Sequence, residues 1–92
     1  MQFDNTEVGR TIRELRREKG LSQDVLSGLA GIARTHLTMI ENGSKQANFE
    51  TIWRIALALN ILPSELVAHI EKAVESKEHK KEAGQSQILC KR

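Results

Sequence analysis

Residues Ser22 to Ser44 read SQDVLSGLAGIARTHLTMIENGS, and this stretch decides the fold. Ser22 is a good N-cap, and Asp24 behind it places a carboxylate in the first turn, where the helix dipole favours negative charge. Val25, Leu26 and Leu29 carry that helix to about Ala30, and Gly31 breaks it. A further helix is predicted from Arg34 to Asn42, with Leu37 and Ile40 inward, Met39 its other apolar residue, and Gly43 as its stop. The second of these two short helices is held by one thin apolar edge. Arg34, Thr35, Thr38 and Met39 lie on or near its other side. Such an outer face is odd for structure alone, whereas short polar side chains with one arginine suit entry into a DNA major groove.

Outward from this pair, three more helices can be read and no strand pattern is visible. The first helix of the chain runs from about Thr6 to Lys19. Val8, Ile12 and Leu15 form its apolar stripe, Asn5 or Thr6 caps it, and Gly20 is its C′ residue. A fourth runs from Phe49 to Leu59 after Asn48 as cap, with Asn60 in the position that favours a left-handed backbone. Pro63 suits the first turn of a fifth, continuing to about Ser76. From Lys77 the sequence is mostly Lys, Glu, Gln, Ser and Gly without periodicity. The expected organisation is therefore one all-α, five-helix domain over residues 1–76 and a disordered or fraying charged tail over 77–92. That tail, with Lys80, Lys81, Lys91 and Arg92, is expected to be dispensable, and Cys90 to be a free thiol without a specific role.

Composition excludes several classes. With 92 residues the chain falls short of the length at which domains usually divide. Aromatic residues are 3%, namely Phe3, Phe49 and Trp53, so the core must be aliphatic and a base-stacking platform lacks its rings. One cysteine rules out a disulfide framework and a thiolate zinc site. His36, His69 and His79 are too scattered to argue for a metal. No nucleophile–base set or glycine-rich phosphate loop can be placed, so no enzyme and no cofactor is expected. There is no apolar run of membrane-spanning length, and Asp4 and Glu7 spoil a secretory leader, which makes a cytoplasmic protein with no membrane partner the expectation. The formal charge of +2 argues nothing by itself. Residues 1–70 hold eight acids and eight bases, and the excess lies from Glu71 onward, where six bases meet four acids.

The combination of Arg16, Gly20-Leu21-Ser22-Gln23, LAGIARTHLTMIENG and FETIWRIALALNI at its spacing resembles the Cro/C1-type, XRE-like, lambda-repressor-like helix-turn-helix family, over about 60 of 92 residues. Within it, RTHLTMIENGSKQANFETI is most similar to controller proteins of restriction–modification systems. The resemblance implies a sequence-specific regulator of transcription, a repressor or controller, whose partner is double-stranded DNA. It makes Arg34, Thr35, His36, Thr38 and Met39 the candidate base contacts: Arg34 bidentate to guanine, Thr35 through its hydroxyl or its methyl, His36 and Thr38 toward base edges or phosphate, and Met39 at most apolar. It makes Gln23 a phosphate clamp, and Asn42, Ser44, Lys45 and Gln46 contacts to the DNA backbone beyond the recognition helix. The resemblance also implies that Glu41 is paired with Arg16 for structural reasons, and a free carboxylate there would repel phosphate. Two departures from the family pattern stand out. Ala33 replaces the usual capping side chain, and Ala47 replaces a common proline.

Each candidate has a plainer reading. Arg34 can be a solvated arginine, although a cation at a helix N-terminus is poorly placed without an anion nearby. Threonines serve as local helix-end groups, His36 can be a bystander, and Met39 can be a partly exposed filler. Arg10, Arg13, Arg17 and Lys19 read as a solvated face rather than a phosphate patch. The fourth helix carries more apolar surface than one face needs. Ile52, Ile55, Ala56 and Leu59 make its core stripe, and Phe49 and Leu66 are expected to complete the core. Trp53, Leu57, Leu62, Val67, Ile70 and Val74 are expected to form the interface of a symmetric homodimer on a pseudo-palindromic operator. With only the tail after the fifth helix, control by protein concentration rather than by a small-molecule effector is expected. The competing class is a protein-interaction module of the same fold, an antitoxin or adaptor, which would not need Arg34, Gln23 and Lys45 at base and phosphate positions.

Overall fold

The structure, a computed structural model, describes the backbone of residues 2–81 and the side chains of residues 2–76. Among the described residues there are five helices and no strand: α1 (Asn5–Glu18), α2 (Gln23–Ala30), α3 (Arg34–Glu41), α4 (Phe49–Ala58) and α5 (Pro63–Lys81). The all-α reading and the order of elements hold.

Local chemistry sets the boundaries. The Ser22 hydroxyl accepts from the Val25 amide at 3.1 Å, and the Asn48 side chain accepts from Thr51 at 2.8 Å, so α2 and α4 are capped where expected. Gly20, Gly31 and Gly43 all have positive φ, and Asn60 is the one other described residue that does. The α1 cap differs from expectation. It is Asp4, whose carboxylate accepts from Thr6 and Glu7, rather than Asn5 or Thr6, because the helix begins a residue earlier and all three residue types can cap. Ala33 supplies no side-chain cap to α3, as its chemistry dictates. At the start of α5 the Glu65 carboxylate reaches back to the Leu62 amide at 2.9 Å, half of a capping box. That helix runs to Lys81, beyond the expected end at Ser76. Residues 82–92, including Cys90, Lys91 and Arg92, lie outside the described residues.

The core is aliphatic. Val8, Ile12 and Leu15 of α1, Leu26 and Ala30 of α2, Leu37 and Ile40 of α3, the α4 stripe and Leu66 form one buried cluster. α1 packs on α3 and α5, α2 on α3 and α4, and α4 on α5. This arrangement leaves the outer side of α3 uncovered.

Two expectations about α4 and α5 need correction. Phe49 is 70% exposed rather than part of the core, because the α4 stripe runs off the core at its first turn. There it lines a groove of about 470 Å³, together with Phe3, Ile52, Val67, Ile70 and Val74. Its ring meets Trp53 edge-on at 6.0 Å. Val74, expected at an interface between copies, is 6% exposed in a single chain, since α5 is long enough to carry it back onto the N-terminal half of the molecule. Ile70 is half-buried against the core for the same reason. Trp53, Leu57, Leu62 and Val67 are exposed, each by 45% or more. No single described helix is long and apolar enough to cross a membrane.

Candidate nucleic-acid interface

The end of α3 is fastened by a buried ion pair. The Arg16 guanidinium donates through Nε to Glu41 Oε2 at 2.7 Å and through Nη2 to Oε1 at 3.1 Å, a bidentate fork. Its Nη1 donates to the Leu21 carbonyl at 2.8 Å, which ties the α1–α2 turn into the same knot. The Glu41 side chain is fully buried and that of Arg16 is 10% exposed, so this pair is protected from screening by salt. The Arg16–Glu41 pair that the resemblance implies is present. Arg13, expected on a solvated face, is half-buried and leans on the same carboxylate at 3.8 Å. It also donates to the Glu41 carbonyl at 3.5 Å, where the C-terminal end of α3 carries partial negative charge.

Gln23 sits between this pair and the outer side of α3. Its Nε2 donates to Glu41 Oε1 at 2.9 Å, and its Oε1 accepts from the Thr38 hydroxyl at 2.9 Å. Both ends of the amide are thus engaged inside the protein, a role the sequence reading missed in assigning Gln23 only to phosphate. One Nε2 hydrogen remains for an outside acceptor.

On α3 itself, Arg34, Thr35 and Met39 are exposed and Thr38 is half-buried on the same side. At about 100° per residue, His36 falls at the Met39 edge of that side, half-buried where it borders the apolar stripe. Arg34 Nε lies 3.2 Å from the Asp24 carboxylate. Both side chains are well exposed, so the pair adds little stability, but it offsets the arginine's poor position at an uncapped helix start. Asp24, read from the sequence only as a helix-dipole residue, thus also holds the candidate base contact Arg34.

Beyond α3, Asn42 Oδ1 accepts from both the amide and the hydroxyl of Ser44, so these two residues brace the turn. Lys45 and Gln46 are exposed, Gln46 beside the apolar groove. Among the described residues, no group of three or more His, Cys, Asp or Glu side chains could hold a metal ion.

Residues 12–66, more than half the chain, match the helix-turn-helix (HTH_3) family. The ImmF control region 10 kDa protein of Bacillus phage phi105 is 36% identical over 59 residues, which span 64% of this chain and 66% of that protein. The restriction–modification controller protein C.AhdI from Aeromonas hydrophila is 39% identical, with a TM-score of 0.65 over 67% of this chain and 94% of its own. The controller C.Esp1396I, solved as a tetramer in complex with its natural 35 base-pair operator, shares the fold at a TM-score of 0.73 and 23% identity, covering 80% of this chain and 97% of its own. The chain thus belongs to the XRE-like helix-turn-helix family of DNA-binding transcriptional regulators, and restriction–modification controller proteins are among its relatives.

Proposed function

We propose that the protein is a sequence-specific regulator that binds a pseudo-palindromic operator in double-stranded DNA as a homodimer, with α3 of each copy in the major groove. The observation that carries this reading is the outer side of α3. Arg34, Thr35, Thr38 and Met39 share one uncovered surface, although nothing in the packing of the domain calls for an arginine there. Asp24 engages Arg34 through Nε, which leaves the two terminal nitrogens for guanine O6 and N7. Gln23, Asn42, Ser44, Lys45 and Gln46 flank this surface as phosphate contacts, Gln23 through its remaining amide hydrogen. That C.Esp1396I, which shares this fold, was solved on its operator supports a DNA target for the protein. A regulator of this kind works in the cytoplasm and catalyses nothing. Gel shifts and selection from random duplex pools at stated salt test the reading. Recovery of a symmetric motif supports it, and failure to retain any duplex would favour the protein-interaction module.

Arg34 and Lys45 should then behave differently. Arg34→Ala is expected to cost about 1–3 kcal/mol on the selected site and to relax preference at one position of each half-site. Lys45→Ala should weaken specific and random DNA alike, and reduce the slope of log affinity against log salt by about one per site lost. A uniform loss across sequences for Arg34→Ala would make it a phosphate contact.

The exposed apolar surface of Trp53, Leu57, Leu62 and Val67 is assigned to the dimer. Two-fold pairing through it would set the α3 helices about 34 Å apart, one turn of DNA. Sedimentation at micromolar concentration should give a dimer for the parent and a monomer for Leu57→Asp or Val67→Asp, with operator affinity falling in parallel. A parent that sediments as a monomer, with both variants binding DNA normally, overturns the assignment.

A further inference from the structure

The Thr38 hydroxyl has one hydrogen to donate and two inward neighbours that can only accept it. Its Oγ1 lies 2.9 Å from Gln23 Oε1 and 3.0 Å from the Arg34 carbonyl oxygen. A carbonyl never donates. Gln23 could donate only if its amide were reversed, and the far end of that amide forbids the reversal. There it stands 2.9 Å from Glu41 Oε1, a carboxylate oxygen that already accepts from Arg16. Reversal would bring two oxygens together with no hydrogen between them. The direction of the chain Arg16 to Glu41 to Gln23 to Thr38 is therefore set by the buried charge at its start.

Whichever neighbour holds the Thr38 hydrogen, it is spent inside the protein. Toward the outside this hydroxyl offers lone pairs alone. In the major groove, the groups that donate are the exocyclic amines of adenine (N6) and cytosine (N4). The O6 and N7 of guanine and the O4 of thymine only accept.

We propose that Thr38 is a one-way reader that accepts from the exocyclic amine of an adenine or cytosine and discriminates against guanine or thymine on the strand it faces, with its polarity imposed by the buried Arg16–Glu41 pair through Gln23. The proposal rests on the DNA-reading function above and deepens it. Gln23 acts as a positioning residue that orients the hydroxyl.

The test starts from operators selected by the parent protein and by Thr38→Val and Thr38→Ser. The parent and the serine variant should prefer adenine or cytosine at one position of each half-site, and the valine variant should lose that preference alone. Replacing this base by purine for adenine, or by 2-pyrimidinone for cytosine, deletes the amine. It should then weaken the parent roughly 3- to 10-fold and leave Thr38→Val unchanged. Thermal melts verify that each variant is folded, and Thr38→Ala carries the comparison if the valine variant is not. Loss of a guanine or thymine preference in Thr38→Val overturns the proposal, as does an equal response of parent and variant to amine deletion. A parent that selects no sequence overturns the DNA-reading function itself, an outcome distinct from a parent whose selected motif is unchanged in Thr38→Val, which overturns the Thr38 proposal alone.

Discussion

Replacing Glu41 by alanine is expected to remove about 3–5 kcal/mol of stability, because it leaves the buried Arg16 guanidinium without its counter-charge. For a domain whose whole stability is on the order of 5–15 kcal/mol this is a large fraction of the total, and at the low end of that range a substantial part of the population would unfold. The loss goes beyond one pair. Gln23 loses the acceptor that orients its amide, Arg13 loses a charge to lean on, and the Arg16 side chain that donates to the Leu21 carbonyl in the α1–α2 turn loses its anchor. DNA binding should fall with the folded fraction, and recover when the temperature is lowered. Arg16→Ala should be destabilising by a similar route, since it strands a buried carboxylate. The apolar double replacement Arg16→Met with Glu41→Leu should cost clearly less than the sum of the single losses, because removing both charges removes the desolvation penalty. Urea melts of parent, singles and double measure this. Strictly additive losses would mean that the two side chains do not interact.

Much of this was legible in the sequence because it depends on neighbours within a few residues. Ser22 and Asn48 cap, and Gly20, Gly31, Gly43 and Asn60 turn, wherever they stand next to an amphipathic run. The Arg16–Glu41 pair followed from the resemblance and from the cost of a free carboxylate facing phosphate. What escaped depends on where helices cross. Val74 reads as surplus apolar surface until the length of α5 is known, and Phe49 reads as core until the α4 stripe is seen to outrun it. Gln23 is a sound candidate for phosphate by position. Its grip on Glu41 and Thr38 needs α2 and α3 at their actual separation. Asp24 has two explanations at once, the dipole of its own helix and the arginine of the next, and periodicity reveals only the first.

The residue most invisible in the sequence is Gly9, in the middle of α1, where helix propensity argues for alanine by about 1 kcal/mol. In the structure Gly9 is buried where α1 crosses the last turn of α3. A Cβ built there would stand 2.6 Å from the Glu41 carbonyl oxygen and would overlap the Ile40 carbonyl oxygen as well. Both are backbone atoms of a packed helix, so no side chain can swing aside to make room. To admit one methyl group, α1 must move off α3, drawing Val8 and Ile12 out of the core and stretching the Arg16–Glu41 fork. Gly9→Ala is therefore expected to be destabilising by about 2–3 kcal/mol in spite of the gain in propensity. Gly28 is the control: it lies within α2, a Cβ there meets nothing within 4 Å, and Gly28→Ala should be neutral or stabilising by up to about 1 kcal/mol. At one protein concentration and with unchanged slope, the urea midpoint should fall for Gly9→Ala and hold or rise for Gly28→Ala. If Gly9→Ala instead matched or exceeded the parent, α1 and α3 would not meet backbone to backbone, and the close crossing that sets the angle of the recognition helix would have to be abandoned.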